Sequence, residues 1–377
     1  MQALLTCQPG RVEVREVPDP VAATGQVLVR VSHCGICGSD VHAVHSGRAR
    51  PGRILGHELA GVVEDAGPGV TGWHAGDKVA VNPVGSCGRC RVCTRGLPYL
   101  CAELPNIGLT APGGFAELVA VPAGQLVALP ADADPAVGAR AEPLAVAMRA
   151  VELAGIEPGD DVLVLGAGSI GLNVVAALGL AGAGRVVVAG RSPERLALAT
   201  ALGAAAAVDS RAVPLALYAA ERGLRFTAAL ECSGAPTALQ LLLPLLEPGG
   251  TCVYVALGDD DVPLGVRGLV RSGLRVAGSC AFTPAVYAAA VGHLVAGRVP
   301  AGPLVGARLP LARAPEAFSR LSRPGGPVGV LLQPGGDLHP GGDLQPGGDL
   351  RPGNDLQPGD DTGRPEMNPR NSEREVR

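Results

Sequence analysis

The sequence predicts a mixed fold: an N-terminal, partly open β-barrel, then a doubly wound α/β domain, then a disordered C-terminal tail. Three observations carry that prediction. The first 140 residues alternate short β-like runs with glycine turns. From Asp160 the rhythm changes to strand, turn and apolar helix in repeated succession. From Gln333 the chain becomes five successive Pro/Gly hexamers, QPGGDL, HPGGDL, QPGGDL, RPGNDL and QPGDDT, followed by a polar terminus.

In the first region the clearest strands are VEVREV (12–17), QVLVRVSHCG (26–35), LAGVVEDAG (59–67) and DKVAVNP (77–83). FAELVAVPA (115–123) and QLVALP (125–130) continue the style. A long helix first shows in EPLAVAMRAVELAG, 142–155, through its apolar periodicity. The second region opens with the buried strand DVLVLG, the helix SIGLNVVAALGLAG and the strand RVVVAG. The helix SPERLALATALGA and the short strand AAVD follow. Next come FTAALECSG, a helix over PTALQLLLPLL (236–246), the strand TCVYVAL, the strand LRVAGSC (274–280) and the helix PAVYAAAVGHLVAG (284–297). These strands are nearly continuous apolar runs, as expected when helices cover both faces of a parallel sheet. In 303–332, RLPLARAPEAFSRLSR reads as a helix and PVGVLL as a closing strand that returns to the first domain. The hexamers offer one leucine in six residues, too little for a core or a stacking solenoid unit, so 333–377 is assigned disorder.

Composition bounds the rest. The 377 residues suffice for two domains, and with only four Phe, four Tyr and one Trp the interior must be Leu, Val and Ala. The net charge of −4 resides in the tail; the body carries equal numbers of acidic and basic side chains. No basic stripe points to nucleic acid. The N-terminus lacks a signal peptide's apolar core, and the longest apolar run is broken by glycines, so a cytoplasmic chain without membrane spans is expected.

Two groups of residues have the chemistry of metal ligands. Cys37 in HCGICGSDVH (33–42) and His57 in GHE (56–58) are a thiolate and an imidazole, the donors that Zn²⁺ prefers. A catalytic zinc needs a third protein ligand, and either Glu58 or Glu142 could supply it. Cys87, Cys90, Cys93 and Cys101 follow one another as C-x2-C-x2-C-x7-C, a spacing that suits a closed tetrahedral thiolate shell in a reducing compartment.

The glycine-rich turn GAGSIG contributes Gly166, Gly168, Ser169, Ile170 and Gly171 to a dinucleotide site. It follows a strand and opens a helix, so its glycines permit a tight turn and a close pyrophosphate at the helix N-terminus. The next strand ends in VVVAGRSPER. Gly190 stands where an NAD site carries a carboxylate, and Arg191, with Ser192 and Arg195, can meet a ribose phosphate. This favours NADP(H), with NAD(H) as the alternative.

CGICGSDVH, GHE, the four-cysteine segment, EPLAVAM and GAGSIG together resemble the zinc-containing medium-chain alcohol and polyol dehydrogenases, in the family's order and over residues 1–332. The resemblance implies a GroES-like zinc-binding catalytic domain at 1–142 and 300–332, with a Rossmann domain at 143–299. It implies a catalytic zinc on Cys37 and His57, with Glu58 as an exchangeable ligand. It implies a second, structural zinc on the four cysteines. Glu142 matches the carboxylate of the sorbitol, threonine and butanediol branches and directs the reading to polyols. Ser39 would take the substrate's proton, His42 would pass it to solvent, and Asp40 would orient a zinc ligand. The expected reaction is hydride transfer between the dinucleotide and a small alcohol or ketone, in a homo-oligomer, either tetramer or dimer. The alternatives are an NAD-dependent butanediol-, threonine- or sorbitol-type dehydrogenase, and a catalytically inactive dinucleotide-binding protein.

Overall fold

A computed structural model describes residues 1–258, 261–322 and 326–335. Strands β1 (Gln2–Thr6) and β2 (Val12–Glu16) form an antiparallel pair. Strands β3 (Gln26–Gly35), β4 (Glu58–Ala66), β5 (Lys78–Val81), β6 (Leu118–Pro122) and β7 (Leu126–Ala128) follow. Next come β8 (Val162–Leu165), β9 (Val186–Gly190), β10 (Ala206–Asp209), β11 (Phe226–Glu231), β12 (Leu246–Tyr254) and β13 (Arg275–Gly278). The last two are β14 (Ala307–Pro310) and β15 (Val330–Gln333).

A seven-stranded sheet runs β14-β15-β3-β4-β5-β7, with β6 also on β3. The ten-residue β3 serves two partners along one edge, β6 at 26–30 and β15 at Cys34–Gly35. Strand β15 therefore returns beside the strand that leads to Cys37. The second sheet is six-stranded and wholly parallel, in the order β10-β9-β8-β11-β12-β13. The strand order reverses between β8 and β11, where connections on the two sides diverge and open a crevice at the strands' carboxyl ends.

Period-two geometry explains the buried runs. Val162 and Val164 of β8 join the apolar cluster containing Leu144, Leu172 and Tyr287, whereas Leu163 and Leu165 join the cluster on the opposite face with Val187 and Leu242. The helix Ala141–Ala154 packs in the first cluster with the helices Ser169–Ala181 and Pro284–Val295, and Gly155 ends it in the left-handed conformation. It thereby fixes Glu142, in its first turn, relative to the dinucleotide turn.

Some elements differ from expectation. PTALQLLLPLL is helical only over Ala238–Leu242, because Pro244 lacks an N–H and forces a 3-10 turn before β12. RLP is not helical: it belongs to β14, parallel to β15, a 3-10 turn covers Leu311–Arg313, and the α-helix begins at Ala314. The first hexamer residue, Gln333, ends β15 opposite Pro310. The remainder of the predicted disordered tail lies, past Gly335, outside the described residues. Among the described residues, no helix is long and apolar enough to cross a membrane.

Candidate active site

Cys37 leaves β3 and caps the helix Gly38–His45; its backbone N–H donates to Asp40 Oδ2 at 3.0 Å. His57 and Glu58 arrive together where the loop after that helix enters β4. The ligand atoms of Cys37, His57 and Glu58 all lie within 4.8 Å of one another. Room for the carboxylate is made by Gly35, directly across the ladder from Glu58: a Cβ at Gly35 would stand 2.2 Å from Glu58 Oε2.

The surroundings are charged and almost dry. Asp40, His57, Glu58, Glu142 and Arg140 are all buried. Asp40 Oδ1 faces His57 Nδ1 at 3.4 Å without a well-aligned hydrogen bond, so both polar atoms are left unsatisfied in the protein alone. Burial would lower the imidazole's pKa, but Asp40 and Cys37 outweigh it and hold the ring well above its ordinary value. Burial raises the Cys37 thiol, an effect His57 opposes. Burial likewise raises Glu58 against the pull of Arg140 and His57. It pushes Glu142 up to about 7. A buried thiol, imidazole and carboxylate, with a carboxylate behind the imidazole, is the donor set a zinc ion satisfies, and the unpaired His57 and Asp40 atoms fit that occupant. Glu142 stands outside the three-donor group, although its charge is felt by Cys37 and Tyr287.

Ser39 and His42 occupy one face of the same helix, both half-buried, with His42 Nε2 3.3 Å from Arg48 Nη1.

The four cysteines also converge. Cys87 and Cys93 sulfurs are 4.0 Å apart, and those of Cys90 and Cys101 are 3.9 Å apart. A zinc with Zn–S of about 2.3 Å has tetrahedral S–S edges of about 3.8 Å, so the shell is close to formed. Backbone N–H groups of Cys87 and Cys90 donate to the sulfurs of Cys101 and Cys87 at 3.4 and 3.3 Å. The Cys87 amide is the leading cause that lowers Cys101 to about 6. Burial takes Cys93 the other way, to about 12.

At the dinucleotide turn, Gly166 has φ +106, and a Cβ at Gly171 would fall 1.8 Å from the Gly166 carbonyl oxygen. Gly168 caps the helix that Ser169 and Ile170 begin. Gly190 ends β9 beside Asp209 of β10, whose carboxylate is held bidentately by Arg211. Of the side chains expected at a ribose phosphate, only Arg191 projects into solvent uncommitted to a contact seen here. Ser192 caps the next helix, accepting from the Arg195 N–H at 3.4 Å and donating to Glu194 at 2.6 Å. Arg195 is half-buried and donates to the Gly326 carbonyl.

Arg140 was absent from the sequence reading. Its guanidinium donates to Glu58 Oε2 at 3.2 Å and to Ser169 Oγ at 3.4 Å, joining the metal site to the dinucleotide turn. The available signal was a lone cation in the apolar stretch that leads into Glu142.

Comparison with known proteins agrees with this architecture. Residues 23–131 match the alcohol dehydrogenase GroES-like domain, and residues 169–296 match the zinc-binding dehydrogenase family. The L-threonine 3-dehydrogenase of Streptomyces coelicolor is 36% identical over 74% of this chain and 83% of its own length. An alcohol dehydrogenase of Escherichia coli CFT073 solved with NADH has TM-score 0.84 at 29% identity, covering 88% of this chain and 99% of that one. A zinc-binding dehydrogenase of Sinorhizobium meliloti bound to NADP has TM-score 0.82 at 35% identity, with the same coverage. The chain belongs to the zinc-binding medium-chain dehydrogenases, related to the threonine, sorbitol and butanediol dehydrogenases. It is a zinc-dependent alcohol/polyol dehydrogenase that works on an alcohol/ketone pair with a dinucleotide cofactor.

Proposed function

We propose that the substrate is a vicinal diol, polyol or amino alcohol and that the working cofactor is NAD(H). The observation that carries the substrate reading is Glu142: a buried carboxyl, held up to about 7, stands beside the Cys37–His57–Glu58 trio. A second hydroxyl or an ammonium on the substrate finds there a further carboxyl oxygen besides that of Glu58.

With zinc and dinucleotide bound, the chemistry supplied is Lewis activation of a substrate oxygen and acceptance of a hydride. The protein does the rest. Asp40 accepts from the Cys37 amide through Oδ2 and turns Oδ1 toward His57 Nδ1 at 3.4 Å, so one carboxylate stands behind two ligands. Ser39 takes the proton of the substrate hydroxyl, and His42, one turn on and at the solvent side, passes it outward. Gly166, Gly168 and Gly171 let the backbone and the N-terminus of the helix Ser169–Ala181 approach the pyrophosphate.

The cofactor preference is supported by what surrounds Gly190. Ser192 and Arg195 have other partners, and the carboxylates of Glu194 and Asp209 lie in the same region. The sequence favours NADP(H) through the missing acid at Gly190 and the exposed Arg191, and the NADP-bound relative gives that reading a specific precedent. Steady-state comparison of NAD⁺ and NADP⁺ over a panel of diols, sugar alcohols and amino alcohols decides both points. Faster turnover of simple monoalcohols than of any panel member would overturn the substrate assignment. A higher kcat/KM with NADP⁺, lost in Arg191→Ala, would overturn the NAD(H) assignment.

The edge position of β13 among the described strands, with its Val276 exposed, supports a homo-oligomer built by strand pairing. Ten unbridged cysteines suit the cytoplasm.

A further inference from the structure

Arg140 is the largest fully buried side chain among the described residues, 1% exposed. Its neighbours in sequence Ala139, Ala141 and Leu144 are buried and apolar, so this charge is carried into the interior at a desolvation cost that its partners must offset. Its Nη1 donates to Glu58 and its Nη2 to Ser169, while Nε is buried without a partner. One guanidinium, with five donors in a rigid fork, is thus shared between two sites that bind different things. Glu58 belongs to the metal trio. Ser169 is the first residue of the helix whose N-terminus faces the pyrophosphate position.

We propose that Arg140 is a positioning residue that couples dinucleotide binding to the hold of Glu58 on the metal. An anion arriving at the helix N-terminus draws on the guanidinium, loosens its grip on Glu58, and frees that carboxylate to close on the cation. By linkage the effect is mutual: whatever factor the dinucleotide applies to metal affinity, the metal applies to dinucleotide affinity. The inference rests on the reading that the trio holds zinc and the glycine turn a dinucleotide.

The test uses the full-length protein. Zinc affinity at the trio is measured by competition with a chromophoric chelator, with and without saturating NADH, and with NADPH in a parallel series. NADH affinity is measured by nicotinamide fluorescence with the trio loaded and stripped. In the wild type each ligand tightens the other by the same factor, roughly 5-fold or more, the lower end of ordinary couplings. In Arg140→Leu the factor falls to about 1 while both ligands still bind. Arg140→Lys carries the same expectation should the leucine variant fail to fold. Its compact ammonium can meet Glu58 but cannot span to Ser169 as well. A wild type that binds both ligands independently overturns the coupling, as do variants that keep the wild-type factor; the dehydrogenase reading survives either result. Failure of the trio to take zinc, or of the turn to take either dinucleotide, overturns both.

Discussion

The two candidate metal centres are built from opposite materials. The cysteine lobe draws four identical donors from fifteen consecutive residues, 87–101, with sulfurs already near tetrahedral spacing. The trio draws three different donors from two places in the fold and surrounds them with buried Asp40, Arg140 and Glu142. A complete shell leaves a metal nothing to do but hold the chain; an incomplete shell among buried charges leaves it a place for substrate. The contrast suits one centre to a staple and the other to a reagent.

The largest expected effect follows from removing the reagent. Cys37→Ser lowers kcat by at least ~10³-fold, since Lewis activation supplies several kcal/mol, while the dinucleotide still binds, its affinity lower only by the coupling factor that the lost metal no longer supplies. Turnover at the wild-type rate in that variant would break the assignment of roles. Removing a staple acts on stability instead. Cys101→Ser takes the zinc content from two ions per chain to one and lowers Tm by roughly 5 °C, while most of kcat is retained. Elemental analysis and a thermal melt check it, and two ions still bound would show that the lobe is not a metal shell.

The same contrast explains what the sequence could reveal. The lobe is local, so its spacing alone was sufficient. Cys37 and His57 were legible because CGICGSDVH and GHE are compact motifs. Choosing between Glu58 and Glu142 needed the fold, because the ladder pairing of Gly35 with Glu58 and the packing of Ala141–Ala154 decide which carboxylate reaches the trio. The Rossmann strands were legible as apolar runs, and β14 was not, because RLP has no period and exists only by pairing with β15. Arg140 was illegible for the same reason: both its partners are distant in sequence, Glu58 and Ser169. Local propensity announces neither.

A smaller effect sharpens the picture of the trio as a charged, dry site. Burial, opposed by His57, pushes the Glu142 carboxyl up to about 7 from its ordinary value of 4.5. The folded chain therefore keeps a proton that the unfolded chain releases near pH 4.5. That group's contribution to stability is full below about pH 4.5 and is lost as pH rises through about 7. In chelator-treated protein the loss amounts to on the order of 2–3 kcal/mol, and Glu142→Gln removes it. Denaturant midpoints of the two proteins from pH 4.5 to 8 give the difference directly. Parallel curves would place the carboxyl in water rather than beside the trio.

The smallest effect concerns the one part of the reagent that must communicate with solvent. A closed thiolate shell has no proton to dispose of, whereas an oxidised alcohol releases one inside a buried site. His42 lies one turn beyond Ser39, half-buried and 3.3 Å from Arg48, where a proton can leave the interior. His42→Ala should cost about tenfold in kcat/KM near neutral pH, equivalent to ~1.4 kcal/mol, and the deficit should shrink as pH rises and hydroxide replaces the relay. Added imidazole should restore part of the rate, because it supplies the missing base without altering the metal ligands. A pH-independent deficit that imidazole leaves untouched would make His42 a packing residue of the helix Gly38–His45, and would leave Ser39 facing water directly.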